Sequence, residues 1–220
     1  MEGIKKNIRY WSWISGKNML MLIGFAVFFG ILFGMLDGGV PEVLSVTSFY
    51  LLLFGVMCGD AMQVAAIQVY MGQCIAMGAK RKDVFFGMQY TNWIPAIVIY
   101  LFALICQFVT GTTGMNDWGI NMWSGQTVFF YVAAVLLVNG LGNIVSILCA
   151  RFGKAGMVAF VILAACWGGM MGGMASMLAD GYIPFFPSVP KALVMIIPAV
   201  LYIVSAVIQY RIVRKYEIHV

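Results

Sequence analysis

Residues 126–150 read QTVFFYVAAVLLVNGLGNIVSILCA, and after Arg151-Phe152-Gly153-Lys154 the chain resumes as AGMVAFVILAACWGGMMGGMASML over 155–178. Each run is longer than the about 20 apolar residues that a spanning helix needs. A four-residue basic turn between two such runs describes a helical hairpin that reverses at a membrane face. Working outward, further apolar segments occur at about 19–36, 44–72, 84–109 and 189–213, which makes six spans in 220 residues. The chain is 63% hydrophobic and only 10% charged, with mean hydropathy +0.96, against roughly 25% charged residues in a soluble domain. The expected fold is an all-α integral membrane protein: residues 1–18 an interfacial amphipathic helix and linker, residues 19–220 one six-helix transmembrane domain. Little chain is left for a second folded domain, so any energy source must come from another chain.

The basic residues sort by side. With the N-terminus inside, Lys5, Lys6, Arg9, Lys17, Lys80, Arg81, Lys82, Arg151, Lys154, Arg211, Arg214 and Lys215 all fall on the cytoplasmic face, twelve of thirteen, and only Lys191 lies outside. The outer loops carry Asp37, Glu42, Asp117 and Asp180. This bias predicts a multi-pass protein of the cell membrane with both termini cytoplasmic. The net charge of +5 therefore reports sidedness, and no nucleic-acid partner is implied. The run 19–36 is too long for a signal-peptide core and ends in Met-Leu-Asp-Gly-Gly without a small-x-small cleavage site, so it is expected to stay as the first span. Before it, Ile4, Ile8, Trp11 and Ile14 share one helical face opposite Lys5, Lys6, Arg9 and Ser12, the pattern of a helix lying on the inner leaflet.

Several chemistries find no footing. Gly16-Lys17 and Gly153-Lys154 are followed by Asn18 and Ala155, so neither has the Ser or Thr of a phosphate loop, and ATP is not expected on this chain. No GxSxG elbow, HExxH helix or pair of intramembrane acids is present, and the one histidine, His219, sits next to the last residue. No catalytic residue is expected. Cys58, Cys74, Cys106, Cys149 and Cys166 lie in or beside apolar runs without CxxC spacing, so neither a disulfide nor a zinc site is expected. Seventeen methionines could suggest Cu(I), but they are spread along the chain as gap-fillers are. No metal site is expected.

The polar residues inside the spans are more telling. Asp60 is the one acid well within an apolar segment, and Gln63 and Gln68 lie on the same side of that helix. Asn139, Asn143 and Ser146 recur at i, i+4, i+7 on the fourth span. Two such stripes fit either a hydrated, substrate-facing interior or hydrogen bonds that hold the bundle together. No second buried acid or histidine is there to take a proton from Asp60. Gly168/Gly172 and Gly169/Gly173 in the fifth span and Gly30/Gly34 in the first are GxxxG pairs, which let helix backbones approach closely. They are expected at helix contacts, including contacts across a dimer.

Between the second and third spans the chain reads Met77-Gly-Ala-Lys-Arg-Lys-Asp-Val-Phe-Phe-Gly87. The second segment runs on past the membrane through small and polar residues to this point, then turns directly into the third span. A rigid basic elbow of this kind suits a protein that receives force from a cytosolic partner; an ordinary positive-inside loop explains the charges but not the extended approach.

At this elbow the sequence resembles the permease subunits of ABC transporters of the type-2 export class, in which a small-Gly-x-basic-basic-x-x-Phe-Phe motif follows the second span. The resemblance extends to the amphipathic start, the six spans with both ends inside, and the proline-rich outer segment Ile183-Pro-Phe-Phe-Pro-Ser-Val-Pro190, so it covers most of the chain. It implies a half-transporter, in which two permease subunits, identical or paralogous, pair with two cytosolic ABC ATPase subunits that carry the ATP and Mg. By that resemblance Ala76 to Phe85 would be the coupling helix. Met77, Gly78, Ala79, Lys80, Arg81, Lys82, Asp83 and Phe85 would form the ATPase contact, with Arg151 and Lys154 as a second one. The short outer stretch Ala179 to Pro190 departs from members with large outer gates and points to compact exporters of small bacterial peptide-export or immunity operons. The apolar interior suggests a hydrophobic or amphipathic cargo such as an antimicrobial peptide. A six-span substrate-capture subunit of a vitamin importer and a non-transporting membrane immunity or assembly protein remain the alternatives.

Overall fold

The computed structural model describes residues 2–37, 40–110, 123, 125–153, 155–156, 158, 161–162 and 191–215. Among them all regular structure is helical: α1 Glu2–Asp37, α2 Val40–Ala65, a π-helical segment Ala66–Tyr70, α3 Met71–Ala76, α4 Arg81–Thr110, α5 Gly125–Phe152 and α6 Lys191–Lys215. Four stretches are long and apolar enough to cross a membrane, Asn7–Leu36, Arg81–Val109, Thr127–Phe152 and Ala192–Lys215, and α2 contributes the shorter apolar Glu42–Met57. The described chain is thus all-helical, with four helices that could cross a membrane. Most of the expected fifth span, with Gly168, Gly169, Gly172 and Gly173, lies outside the described residues, as does the proline-rich outer segment.

Two of the helices carry an internal proline. Pro95 and Pro198 sit inside α4 and α6 without ending them, as membrane helices allow when neighbours satisfy the freed carbonyls. The outer faces of α1 and α6 expose Phe28, Ile31, Leu36, Ile197, Val200 and Ile203, an apolar surface far beyond what a soluble monomer shows.

One expectation is corrected at the start of the chain. Residues 1–18 do not form a separate interfacial helix with a linker, because α1 runs unbroken from Glu2 to Asp37. Gly16 is the one weak helix former in the intended linker and costs only about 1 kcal/mol, while Trp11 and Ile14 beside it are buried in the core. The Gly30/Gly34 pair, expected at helix contacts including contacts across a dimer, lies against α2 of the same chain. A Cβ at Gly34 would stand 2.4 Å from Val43 Cα, and one at Gly30 would stand 1.8 Å from Thr47 Oγ1.

Packing runs α1 on α2, α2 on α4 and α5, and α5 on α6. One core cluster joins Trp11, Met71, Cys74, Ala79, Val84, Met88 and Val213; a second joins Ala26, Leu51, Ile99 and Ala103; a third joins Val56, Ala96, Val135 and Val138. The first cluster gathers the start of α1, the α3–α4 elbow and the end of α6 at one end of the bundle, with Ala150 of α5 packed against it.

Candidate functional site

The elbow is built by a helix stop. Helix α3 ends in a Schellman motif: Ala79 N donates to Cys74 O at 2.9 Å, and Gly78 N donates to Ile75 O at 2.9 Å. Gly78 takes φ +87°, a conformation that a Cβ would disfavour. The apolar contact that accompanies this motif is present, since Ala79 and Cys74 are buried in one cluster. Two residues on, Asp83 N and Val84 N both donate to Lys80 O, at 2.8 and 3.0 Å, and α4 begins. The expected coupling helix from Ala76 to Phe85 is therefore corrected to a turn, Met77–Lys80, set between two helices.

This turn is gripped from both sides. From α1, Asn7 Nδ2 donates to Asp83 O at 2.6 Å, Tyr10 OH donates to Gln73 Oε1, and the buried Trp11 indole packs edge-on against Tyr70, 5.7 Å between centroids. From α6, the carbonyl of Arg214 accepts a 2.7 Å hydrogen bond from Arg81 Nη1, and Tyr210 meets Phe85 edge to face at 5.1 Å. Lys80, Lys82, Met77 and Gly78 are left exposed, whereas Ala79 is buried and Arg81, Asp83 and Phe85 are half-buried. The elbow thus presents two exposed ammonium groups, Lys80 on the turn and Lys82 in the first turn of α4, the latter 6.0 Å from the Phe86 ring centroid. Arg151 is exposed at the end of α5, one residue beyond Ala150, and Lys154 lies outside the described residues. Burial pushes the Cys74 thiol beneath the turn up to about 12, with the Trp11 indole acting in the smaller, opposite sense.

Above the elbow lies a connected polar core. Gln89 Nε2 donates to Gln209 Oε1 at 2.8 Å, Gln209 Nε2 to Gln63 Oε1 at 2.8 Å, and Gln63 Nε2 to Asn92 Oδ1 at 2.7 Å. A longer contact, Asn92 Nδ2 to Gln89 Oε1 at 3.4 Å, closes the loop. Four carboxamides from α2, α4 and α6 form a ring in which every bond runs in the same sense. An outside donor sets that sense. Trp93 Nε1, which can only donate, gives its proton to Tyr202 OH at 2.8 Å, and Tyr202 in turn donates to Gln89 Oε1 at 2.7 Å. Gln89 Nε2 also reaches Asn143 Oδ1 at 3.3 Å, and Asn143 Nδ2 reaches Ser205 Oγ at 3.3 Å, which ties in α5.

No family model matches this chain, and no curated protein or solved structure is similar to it at a significant level. Its functional reading therefore rests on the residues themselves.

Of the expected interior residues, the structure brings Gln63 and Asn143 into this network. Asn139 and Ser146 are also buried, but among the described residues neither Asn139 amide atom nor Ser146 Oγ has a hydrogen-bond partner. Asp60 lies in α2 and Gln68 in the π segment, and the side chains of both are outside what is described. Sequence reasoning missed Gln89, Asn92, Trp93, Tyr202, Ser205 and Gln209. A signal existed in Gln89-x-x-Asn92 and Ser205-x-x-x-Gln209, spacings that set each pair on one helical face just as Asn139 and Asn143 are set. Among the described residues no cluster of three His, Cys, Asp or Glu could hold a metal ion.

Proposed function

We propose that this chain is the permease subunit of an ATP-driven ABC exporter of the type-2 class. It would form half of a dimeric pathway driven by separate cytosolic ATPase subunits, moving a hydrophobic or amphipathic cargo such as an antimicrobial peptide. One observation carries the reading: the exposed Lys80, on the turn, and Lys82, in the first turn of α4, stand beside Asp83 and Arg81, which α1 and α6 hold. A solvated loop needs no such clamps. A surface that takes a push from another protein does, because a slack turn would absorb the displacement instead of passing it on.

The expected topology accords with this. The start of α1, the elbow and the end of α6 meet at one end of the bundle, and that end carries the elbow cations together with Arg211, Arg214 and Lys215. Six spans with both termini cytoplasmic, in the cell membrane, complete the reading.

Copurification tests the reading. The solubilised protein is expected to bring down an ABC ATPase whose activity falls when Lys80, Arg81 and Lys82 are together replaced by alanine. If no ATPase accompanies the chain and activity in the extract ignores the triple replacement, the protein is not an exporter permease, and a capture or immunity role takes its place.

A further inference from the structure

The carboxamide ring and the elbow share two helices. Gln89 and Asn92 stand on α4 two to three turns beyond Arg81, on the same helix that carries Phe85. Gln209 stands on α6 immediately before Tyr210, which packs on Phe85, and five residues before Arg214, whose carbonyl Arg81 holds. Val213, between them, is fully buried in the elbow cluster. The last turns of α6 are thus fixed to the elbow below and to the ring above.

Gln89 is the organising member. A carboxamide has two N–H donors and two acceptor lone pairs. Gln89 uses all four, donating to Gln209 and Asn143 and accepting from Tyr202 and Asn92. Gln63, Asn92, Asn143 and Gln209 are each buried, so any member that loses its neighbour is left unpaired away from water, where that costs far more than an intact bond contributes. Bonds that run one way round a closed ring also polarise one another. Loss of one bond in such a ring therefore weakens the others.

We propose that the Gln63–Asn92–Gln89–Gln209 ring is an interhelical latch kept closed by the elbow's hold on α6, so that releasing Arg81 from the Arg214 carbonyl opens it. Building on the exporter reading, this is the route by which displacement at the elbow reaches the membrane interior. It is a property of the chain alone, so it can be tested without an ATPase.

The test uses full-length protein carrying fluorotryptophan in lipid nanodiscs, with the Trp93 fluorine resonance assigned by its loss in Trp93→Phe. Trp93 reports the latch because its N–H feeds the ring through Tyr202. Gln89→Leu is expected to move the Trp93 resonance, and Gln209→Met serves the same purpose if Gln89→Leu does not fold. Arg81→Ala, distant from Trp93, is expected to produce the same displaced resonance, Arg81→Lys to restore the original one by keeping a donor, and Lys82→Ala to leave it in place. If Arg81→Ala leaves Trp93 where it was while a ring variant moves it, the coupling is refuted. If the ring variants also leave it unmoved, the latch itself is refuted. Should no ATPase copurify while Arg81→Ala still shifts Trp93, the latch stands and the exporter reading falls.

Discussion

Gly87 lies directly against the indole of Trp11: a Cβ at Gly87 would come within 2.2 Å of Trp11 Cδ1 and 2.3 Å of its Nε1. The indole has nowhere to retreat, since it is fully buried among Tyr70, Met71 and Cys74. This contact helps to seat α1 against the start of α4. Gly87→Ala is expected to cost about 1–3 kcal/mol, as overpacking of tight cores does, and to move the tryptophan emission to the red as Trp11 is expelled. A variant with unchanged melting temperature and emission would show that α1 is not seated by this contact.

The α1–α2 contact offers a graded comparison. At Gly34 the obstacle is backbone, with Val43 Cα at 2.4 Å and Val43 N at 2.5 Å, whereas at Gly30 the nearest obstacle is the Thr47 hydroxyl. Gly34→Ala should therefore lower thermal stability more than Gly30→Ala. Adding Thr47→Ala should recover part of the loss at Gly30, because it removes the atom in the way. Equal losses at the two glycines, with no recovery, would contradict the intrachain contact.

Asn139 and Asn143 stand one turn apart on α5 yet should respond to leucine in opposite directions. Among the described residues Asn139 has no hydrogen-bond partner for either amide atom, so Asn139→Leu should remove a desolvation cost of about 1–3 kcal/mol and raise the melting temperature. Asn143→Leu takes one acceptor from Gln89 Nε2 and one donor from Ser205 Oγ and should lower it. Thermal unfolding in one detergent decides the matter, and a fall for Asn139→Leu would mean that its amide is held by something that leucine displaces.

Cys74 should resist alkylation. The native thiol keeps its proton up to about 12, while its ordinary value is 9.0, so almost no thiolate exists at pH 8 and the sulfur is buried besides. Maleimide labelling followed by mass spectrometry is expected to leave Cys74 unmodified, with Trp11→Ala raising its rate at least tenfold. The unfolded chain releases this proton at lower pH than the native one, so the linkage costs stability as pH rises between 9 and about 12. Rapid labelling of the native protein at pH 8 would contradict the burial.

The parts that could be read from sequence were those governed by one residue's own chemistry. Apolar runs of spanning length, the clustered cations and the prolines inside spans each announce themselves locally. The elbow was located correctly but not its form, because the Schellman stop depends on Gly78 adopting a positive φ and on Ala79 meeting Cys74. The continuity of α1 was hidden because the partner of Trp11 is Gly87, far along the chain. The ring was half visible: Gln63 and Asn143 lie on polar stripes, but Gln89 and Gln209 are 120 residues apart, and only the folded bundle joins them. The π segment Ala66–Tyr70 left no mark in composition.

The ring has one more consequence, concerning the membrane potential. A charged gate feels about 2.3 kcal/mol per elementary charge for every 100 mV across the bilayer. The four carboxamides carry no charge, and their hydrogen-bond dipoles, chasing one another round a closed loop, largely cancel. Opening them moves almost no charge through the field. Between an energised and a depolarised cell the ring should therefore stay equally shut, answering to traction on its helices and not to voltage.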